Sequence, residues 1–537
     1  MTSSAFRRRR AGVVFLFALT FPMLHLHSHA AVLTAEKRSN QDPLVSLAQS
    51  GRLTVLSSQV SGLLASGGGG AFTLHPESPY SMMVRQDIPA DTIYIPWEAK
   101  KRFWVAAGEV GILLFIPWAL ARWVRSWEDP ADNWAKVTPD TWWRNISMGW
   151  EYDGDNFLTN QFSHPFHGAL FFNAARTNGY NFWESAPFAL SGSMLWEYFG
   201  ETFRPAFNDW IATGVTGINF GEALYRLSSM ITDNTARGSE RVWSEIGGTL
   251  INPVRGFNRL ISGEMGRVFP NPPEHSPKYF ASVFRFGLRS LDADGNVDVK
   301  DVINQGFVSL DLIYGNPFDV DLSTPFSSFR FGAAVALFNK QRDSLQVLNR
   351  VQSKGHLWGF KLQNDRDTKH LLTLMLSYDY INNPAFEFGN TSLAAQWLAM
   401  FRYGEESAFI PEVQLHAILM GSTPNDYYVD PEGRNYDFGP GVATTVSGSL
   451  RASGWTVGSL SYVSGWIWTM SPVDGEEFSS HHHFHYLRLQ GAYPFSSRWA
   501  IEASLGLYWR ESYYPAPLAD IKAKNPIVHL VVLYNPW

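Results

Sequence analysis

The chain has 537 residues, room for two domains, and a formal net charge of −6, which implies no polyanion partner and so no nucleic acid. It contains no cysteine, which excludes disulfides, thiol chemistry, thiolate zinc sites and an acylated lipoprotein anchor. Aromatic residues make up 15%, with 21 Trp, a level suited to rings that face lipid.

Residues 1–30 read as an export signal. Arg7–Arg10 are its charged start, Ala11–Leu26 its apolar run, and Ser28-His29-Ala30 the small residues for cleavage after Ala30. The alternative is an uncleaved membrane anchor. Residues 31–94 form a weakly patterned lead-in that contains the linker SGLLASGGGG at 61–70.

A helical envelope domain is expected over 95–270. Its first long apolar stretch, 102–124, approaches the ~20 residues of a membrane span. Glu109 and Pro117 interrupt it and basic residues flank it. We expect a helix packed on the block that follows, either on the membrane surface or inside the barrel, with an inner-membrane span as the alternative. WEYDGDNF at 150–157 has two of the acids of a calcium loop, Asp153 and Asp155, but lacks the rest of an EF-hand. It reads as a solvated turn.

Residues 161–226 set ionisable groups into an apolar, glycine-rich background. These are His164, His167, Arg176, Glu184, Ser193, Glu197, Glu201, Asp209, Glu222 and Arg226. Such groups are costly on apolar helices unless paired. Three helices are predicted: one from Pro165 to a cap at Asn178-Gly179, one over Ser185–Phe199, and one over Trp210–Ser228 capped by Asn208 or Asp209. Ser193, Glu197 and Glu201 share a face at four-residue spacing, as do Glu222 and Arg226.

The candidate catalytic residues are therefore His164, His167, Ser193, Glu197, Glu201, Asp209, Glu222 and Arg226. Three chemistries fit them. They could form a polar network that locks helices, a nucleophile–base–orienter set built on Ser193, or a metal site in which His164 and His167 join Glu197, Glu201 or Glu222. No cofactor is indicated.

The series HPFHG, AR-T-NG, S-G-S-MLWEY-FGE, P-A-F-NDW and G-INFGE resembles an uncharacterised bacterial envelope family, domain of unknown function 3943, over roughly residues 145–255. The resemblance implies an envelope location and assigns no catalytic residue.

From 278 to 537 the periodicity becomes two. Leu372, Leu374, Leu376, Tyr378 and Tyr380 oppose Thr373, Ser377 and Asp379. Phe409, Val413 and Leu415 oppose Glu412, Gln414 and His416. Runs of about ten such residues span a bilayer, so an antiparallel transmembrane β-barrel of about 12 strands is predicted. Long links at 421–437 and 470–480 are expected outside, and short turns at 452–454 and 494–497 in the periplasm. His481, His483 and His485 share a strand face and are weak metal candidates beside Glu476 and Glu477. The chain ends on Trp537, as outer-membrane barrels end on an aromatic.

The expected fold class is α+β: an N-terminal helical domain, then an outer-membrane barrel. Its partners would be outer-membrane lipid and, during biogenesis, the barrel assembly machinery. The helical block would be a plug in the lumen or a periplasmic dock. Two functions stay open: a non-enzymatic barrel for binding, passage or envelope maintenance, and a membrane-embedded enzyme acting on lipid or lipopolysaccharide through a His/Glu(/Ser) site.

Overall fold

The computed structural model describes residues 94–126, 133–292, 302–339, 348–383, 385–428, 434–470 and 480–536. The export signal, most of the lead-in, Glu476, Glu477 and Trp537 lie outside these residues.

Among the described residues, seven helices precede the strands. Helix α1 is Phe103–Ala119 and continues as a π turn over Leu120–Val124. Helix α2 is Pro139–Met148, started by Thr138, whose side chain accepts from Thr141 in a capping box. Helix α3, His164–Arg176, follows a π turn at Thr159–Ser163.

Helix α4, Phe182–Phe199, starts three residues earlier than expected, because Asn181 and Glu184 form a reciprocal capping box. Helix α5, Gly217–Ile231, follows a short turn at Phe207–Asp209 and a π segment at Trp210–Thr216. Asn208 and Asp209 thus lie inside the helical run, and the extended residue before it is Ala206. Helices α6, Gly238–Ile251, and α7, Pro253–Ile261, complete the set.

Close packing of α3 on the π segment and α5 depends on glycine. A Cβ on Gly168 would stand 1.6 Å from the Thr213 carbonyl oxygen, and one on Gly217 would stand 2.5 Å from the Gly168 carbonyl carbon. Small residues allow such backbone contact between helices.

The strands are β1 Phe280–Asp292, β2 Val302–Tyr314, β3 Phe329–Asn339, β4 Leu348–Asn364, β5 Thr368–Asn382, β6 Glu387–Arg402, β7 Ala408–Pro424, β8 Tyr436–Ala452, β9 Trp455–Trp468, β10 His481–Pro494, β11 Trp499–Tyr513 and β12 Ile521–Tyr534. All pairings are antiparallel. β12 closes on β1 with Phe284 opposite Tyr534 and Leu291 opposite Ile527. The β7–β8 link is shorter than predicted, since β7 runs on to Pro424.

Alternation assigns the two faces. Leu288, Leu374, Leu415, Leu460, Leu505 and Leu530 are exposed and form the outer apolar belt of an outer-membrane barrel. The opposite parity fills the lumen. Arg330 of β3 reaches Glu412 of β7 at 3.0 Å, a contact that only inward side chains of non-adjacent strands can make. Arg285 pairs with Asp311 and Glu502, Arg350 with Asp311 at 2.6 Å, and Lys354 with Asp379 at 3.4 Å.

On one side of this charged layer an apolar cluster crosses the lumen, including Leu291, Phe388, Ile467, Phe484, Tyr508 and Ile527. On the other, Phe318 and Leu322 from the β2–β3 link pack on inward Leu371, Leu398 and Met400. A cavity of about 80 Å³ lies beside Arg330, Lys354 and His356.

The described helices meet the barrel at outward-facing residues. Phe220 of α5 stacks on Phe331 at 5.9 Å and lies 6.3 Å from Tyr378. Both rings have the outward parity of their strands. Asn219 donates to the Ser353 and Leu376 carbonyls, and Thr216 meets outward Thr391. Tyr436 and Phe438 of β8, also outward, are buried against Phe157 and Tyr152.

The expectation of a luminal plug is therefore corrected, as is that of 102–124 inside the barrel. Among the described residues the lumen holds its own ion pairs and apolar clusters, and the surface that meets the helices is the outer wall.

This seam carries a test. Phe220→Ala should destabilise the folded protein by ~3–5 kcal/mol, read as earlier thermal loss of the compact form in detergent gels. Phe286→Ala, on the exposed wall, should shift it little.

Candidate functional site

The predicted site residues divide into three groups. Glu222 and Arg226 belong to an ion-pair cluster. Glu222 is fully buried and is held by Arg176 at 2.9 Å and by Arg226 at 2.8 Å. Arg226 also donates to the Pro325 carbonyl, which ties α5 to the β2–β3 link. His167 is separate from it. Its Nε2 lies 3.1 Å from the Leu113 carbonyl of α1, and its ring packs on Phe171.

The second group gathers where α3 begins and α4 ends. His164 Nε2 lies 3.3 Å from Asp209 Oδ2 and 3.6 Å from Asp155 Oδ2. Asp153 is fixed by amides: its Oδ1 accepts from Asn160 at 2.8 Å and from Asn208 at 2.7 Å, and Asn208 also donates to Asp209 Oδ1 at 2.7 Å. The Asn160 nitrogen lies 2.7 Å from the Tyr436 hydroxyl, so β8 forms one wall. Arg434 donates to the Asp153 carbonyl rather than to a carboxylate in this contact.

The local backbone explains the convergence. A π turn ends at Ser163, just before His164, and another starts at Trp210, just after Asp209. Such widened turns displace the helical face and recur at functional sites. WEYDGDNF is thus no solvated turn. It folds back against β8 and supplies Asp153 and Asp155. No local signal links these acids to His164, Asn208 and Asp209, since they meet only through the tertiary fold.

Glu197 is 1% exposed, and its Oε2 accepts from the Ala206 amide at 2.8 Å. Glu201 follows α4. Burial, then the neighbouring Glu197, Asp153 and Asp155 charges, push the Glu201 carboxyl well above its usual range. Burial also raises Asp153, with Asp155 adding to it and His164 opposing. Ser193 is buried and its Oγ has no hydrogen-bond partner, so no nucleophile–base pair is formed there.

The third group, His481, His483 and His485, lies on the outward face of β10. His483 stacks on Trp466 at 4.1 Å, His485 on Trp509 at 4.5 Å and His481 on Tyr513 at 4.8 Å. This is an aromatic belt rather than a chelate. The intervening His482 points inward to Asp437 at 2.8 Å. Among the described residues, one group has metal-ligand spacing: Asp153, Asp155 and His164, with ligand atoms within 4.8 Å of one another.

This acid–histidine group lies within a recognised domain. Residues 149–254 match the family model of DUF3943, a domain of unknown function. The match runs from the strand-side loop through α3, α4, α5 and α6 into the start of α7. No curated protein matches.

Several solved outer-membrane structures are similar. The NanC porin is 8% identical, with 47% of this chain and 98% of that chain covered and a TM-score of 0.22. The toluene transporter TodX of Pseudomonas putida is 8% identical, covering 49% and 90%, at 0.21. The COG4313 outer membrane channel of Pseudomonas putida F1 is 12% identical, covering 48% and 94%, at 0.26.

Two glutamates should respond differently to the same change. Glu222→Gln leaves buried Arg226 without its anion and Arg176 with only Glu274 at 3.8 Å, and should cost ~3–5 kcal/mol. Glu197→Gln keeps an acceptor for the Ala206 amide and should stay within ~1 kcal/mol of the parent. Thermal unfolding of both variants in one detergent checks this.

Proposed function

We propose that the protein is a bacterial outer-membrane barrel of the binding or envelope-maintenance class, and that its helical domain shares the bilayer with the barrel. The single observation that carries this reading is the stacking of Phe220 on outward Phe331, on the wall that elsewhere faces lipid.

The helical domain has the surface of a lipid-facing body. Trp104, Ile112, Phe115, Ile116 and Trp123 project from α1 and its π turn, each more than half exposed. This helix covers 22 residues, Phe103–Val124, or about 33 Å at 1.5 Å per residue, close to the ~30 Å hydrocarbon core. Basic Lys100, Lys101 and Arg102 precede it and Arg125 follows it, as anchors at two interfaces would. Its one acid, Glu109, turns inward to the Asn178 and Asn258 amides. Helices α6 and α7 add exposed Trp243, Ile246, Leu260 and Ile261.

The filled lumen favours binding or maintenance over open passage. A charged layer lies between two apolar clusters of inward side chains, a poor lining for an open aqueous channel.

A second reading is an enzyme that acts on lipid or lipopolysaccharide. His164 favours it, because an imidazole between two carboxylates is suited to acid–base work. With short turns taken as periplasmic, the cluster sits beside the outer ends of β7 and β8, near headgroup level.

Because the chain has no native cysteine, a single spin label at Ile112→Cys tests the placement. The label should be more accessible to oxygen than to a water-soluble nickel chelate in liposomes. The reverse order would place the helix in water. In planar bilayers the protein should show no steady open conductance, and a sustained ohmic pore would overturn the closed-lumen reading.

A further inference from the structure

We infer that Asp153, Asp155 and His164, with Asp209 beside the imidazole, form a binding site for a divalent transition-metal cation, of the Zn²⁺ or Mn²⁺ type, at the junction of the helical domain with β8. This goes beyond the proposed membrane role and does not depend on it.

The first argument is geometric. His164 Nε2 stands 3.3 Å from Asp209 Oδ2 and 3.6 Å from Asp155 Oδ2. Donors bound to one cation at ~2.0–2.2 Å in a tetrahedral shell are separated by about 3.4 Å. Yet His164 Nε2 is buried and has no hydrogen-bond partner, so neither carboxylate receives a proper N–H bond from it. Asp153, Asp155 and His164 hold ligand atoms within 4.8 Å of one another, the spacing of donors around a common point, and Asp209 reaches the same imidazole from beside that group.

A second, independent observation is Asn160. Its side chain is 1% exposed and its amide nitrogen touches Asp153 Oδ1, while its Oδ1 has no partner. A buried carboxamide oxygen without a donor, at the edge of this group, is a further available oxygen ligand. The surrounding amides behave as supports for ligands. Asn208 holds one oxygen of Asp153 and one of Asp209, which leaves Asp209 Oδ2 turned toward His164. Such outer partners commonly orient metal-binding carboxylates.

Charge gives the third argument. Asp155 and Asp209 both reach the one imidazole, Asp153 lies within ligand spacing of it, and Glu197 is buried in the same region of the helical domain. Arg434 reaches the Asp153 carbonyl and Arg204 pairs with Glu151. Several acids at low dielectric repel strongly unless protons or a cation neutralise them. Mixed imidazole and carboxylate donors suit borderline ions, whereas an all-oxygen set would suit Ca²⁺ or Mg²⁺.

The test uses the mature protein purified in detergent and stripped with chelator. Titration with Zn²⁺ by calorimetry should show one ion per chain. Mn²⁺ loaded at one equivalent should show a single imidazole nitrogen coupling in pulsed electron paramagnetic resonance. Asp153→Asn and His164→Gln should each weaken Zn²⁺ binding at least ~10-fold, while His483→Gln on the outward belt leaves it unchanged. Retention of the heat-modifiable band confirms folding of each variant. The proposal is overturned by absence of stoichiometric binding to the parent. It is also overturned by no nitrogen coupling in Mn²⁺-loaded parent, or by parent-like affinity in folded Asp153→Asn and His164→Gln.

Discussion

The architecture depends on an apolar seam between a helix bundle and the outside of a barrel. Aromatic rings supply it from both sides: Phe220 from the bundle, and Phe331 and Tyr378 from outward positions of the strands. In a bilayer such surfaces would otherwise meet lipid, so burial from water adds little to this contact. Shape, ring packing and hydrogen bonds must supply its specificity. Asn219 gives two of those bonds, to the Ser353 and Leu376 carbonyls. The close crossing at Gly168 and Gly217 holds α3 and α5 together so that one rigid face meets the wall.

The seam also explains where the polar groups lie. The bundle has apolar residues outside and acids, amides and arginines inside, at two ends. At one end Glu222 is clamped by Arg176 and Arg226, and Arg255 meets Glu98 at 2.8 Å. Charges there are matched. At the other end, near β8, carboxylates outnumber cations and surround His164. The first arrangement resembles a structural lock. The second brings carboxylates against His164, the arrangement on which the metal proposal rests.

Much of the barrel was legible because period-two alternation is a local property. Leu372 and Leu374 oppose Thr373 and Asp379 in sequence as they do in the strand. The twelve strands and their lumen-facing acids follow from this. Two features were not local. Nothing in the alternation of β5 distinguishes Leu374, which is exposed, from Tyr378, which the bundle covers, so the outer-wall docking could not be read. The site was half legible. His164, Glu197, Glu201 and Asp209 stand out as costly groups on apolar helices, whereas Asp153 and Asp155 look like turn residues until β8 closes over them through Tyr436. Grouping Glu222 with the histidines failed because helical spacing orders residues along one helix and is silent on which end meets which neighbour.

The central claim is that the helices lie beside the barrel within the membrane. A cryo-electron microscopy map of the full mature protein in a lipid nanodisc tests it most directly. The account predicts helical density inside the lipid disc, packed on the outer wall of β3–β8, with side-chain density joining Phe220 to Phe331. Helical density within the lumen, or hanging below the disc in solvent, would contradict it.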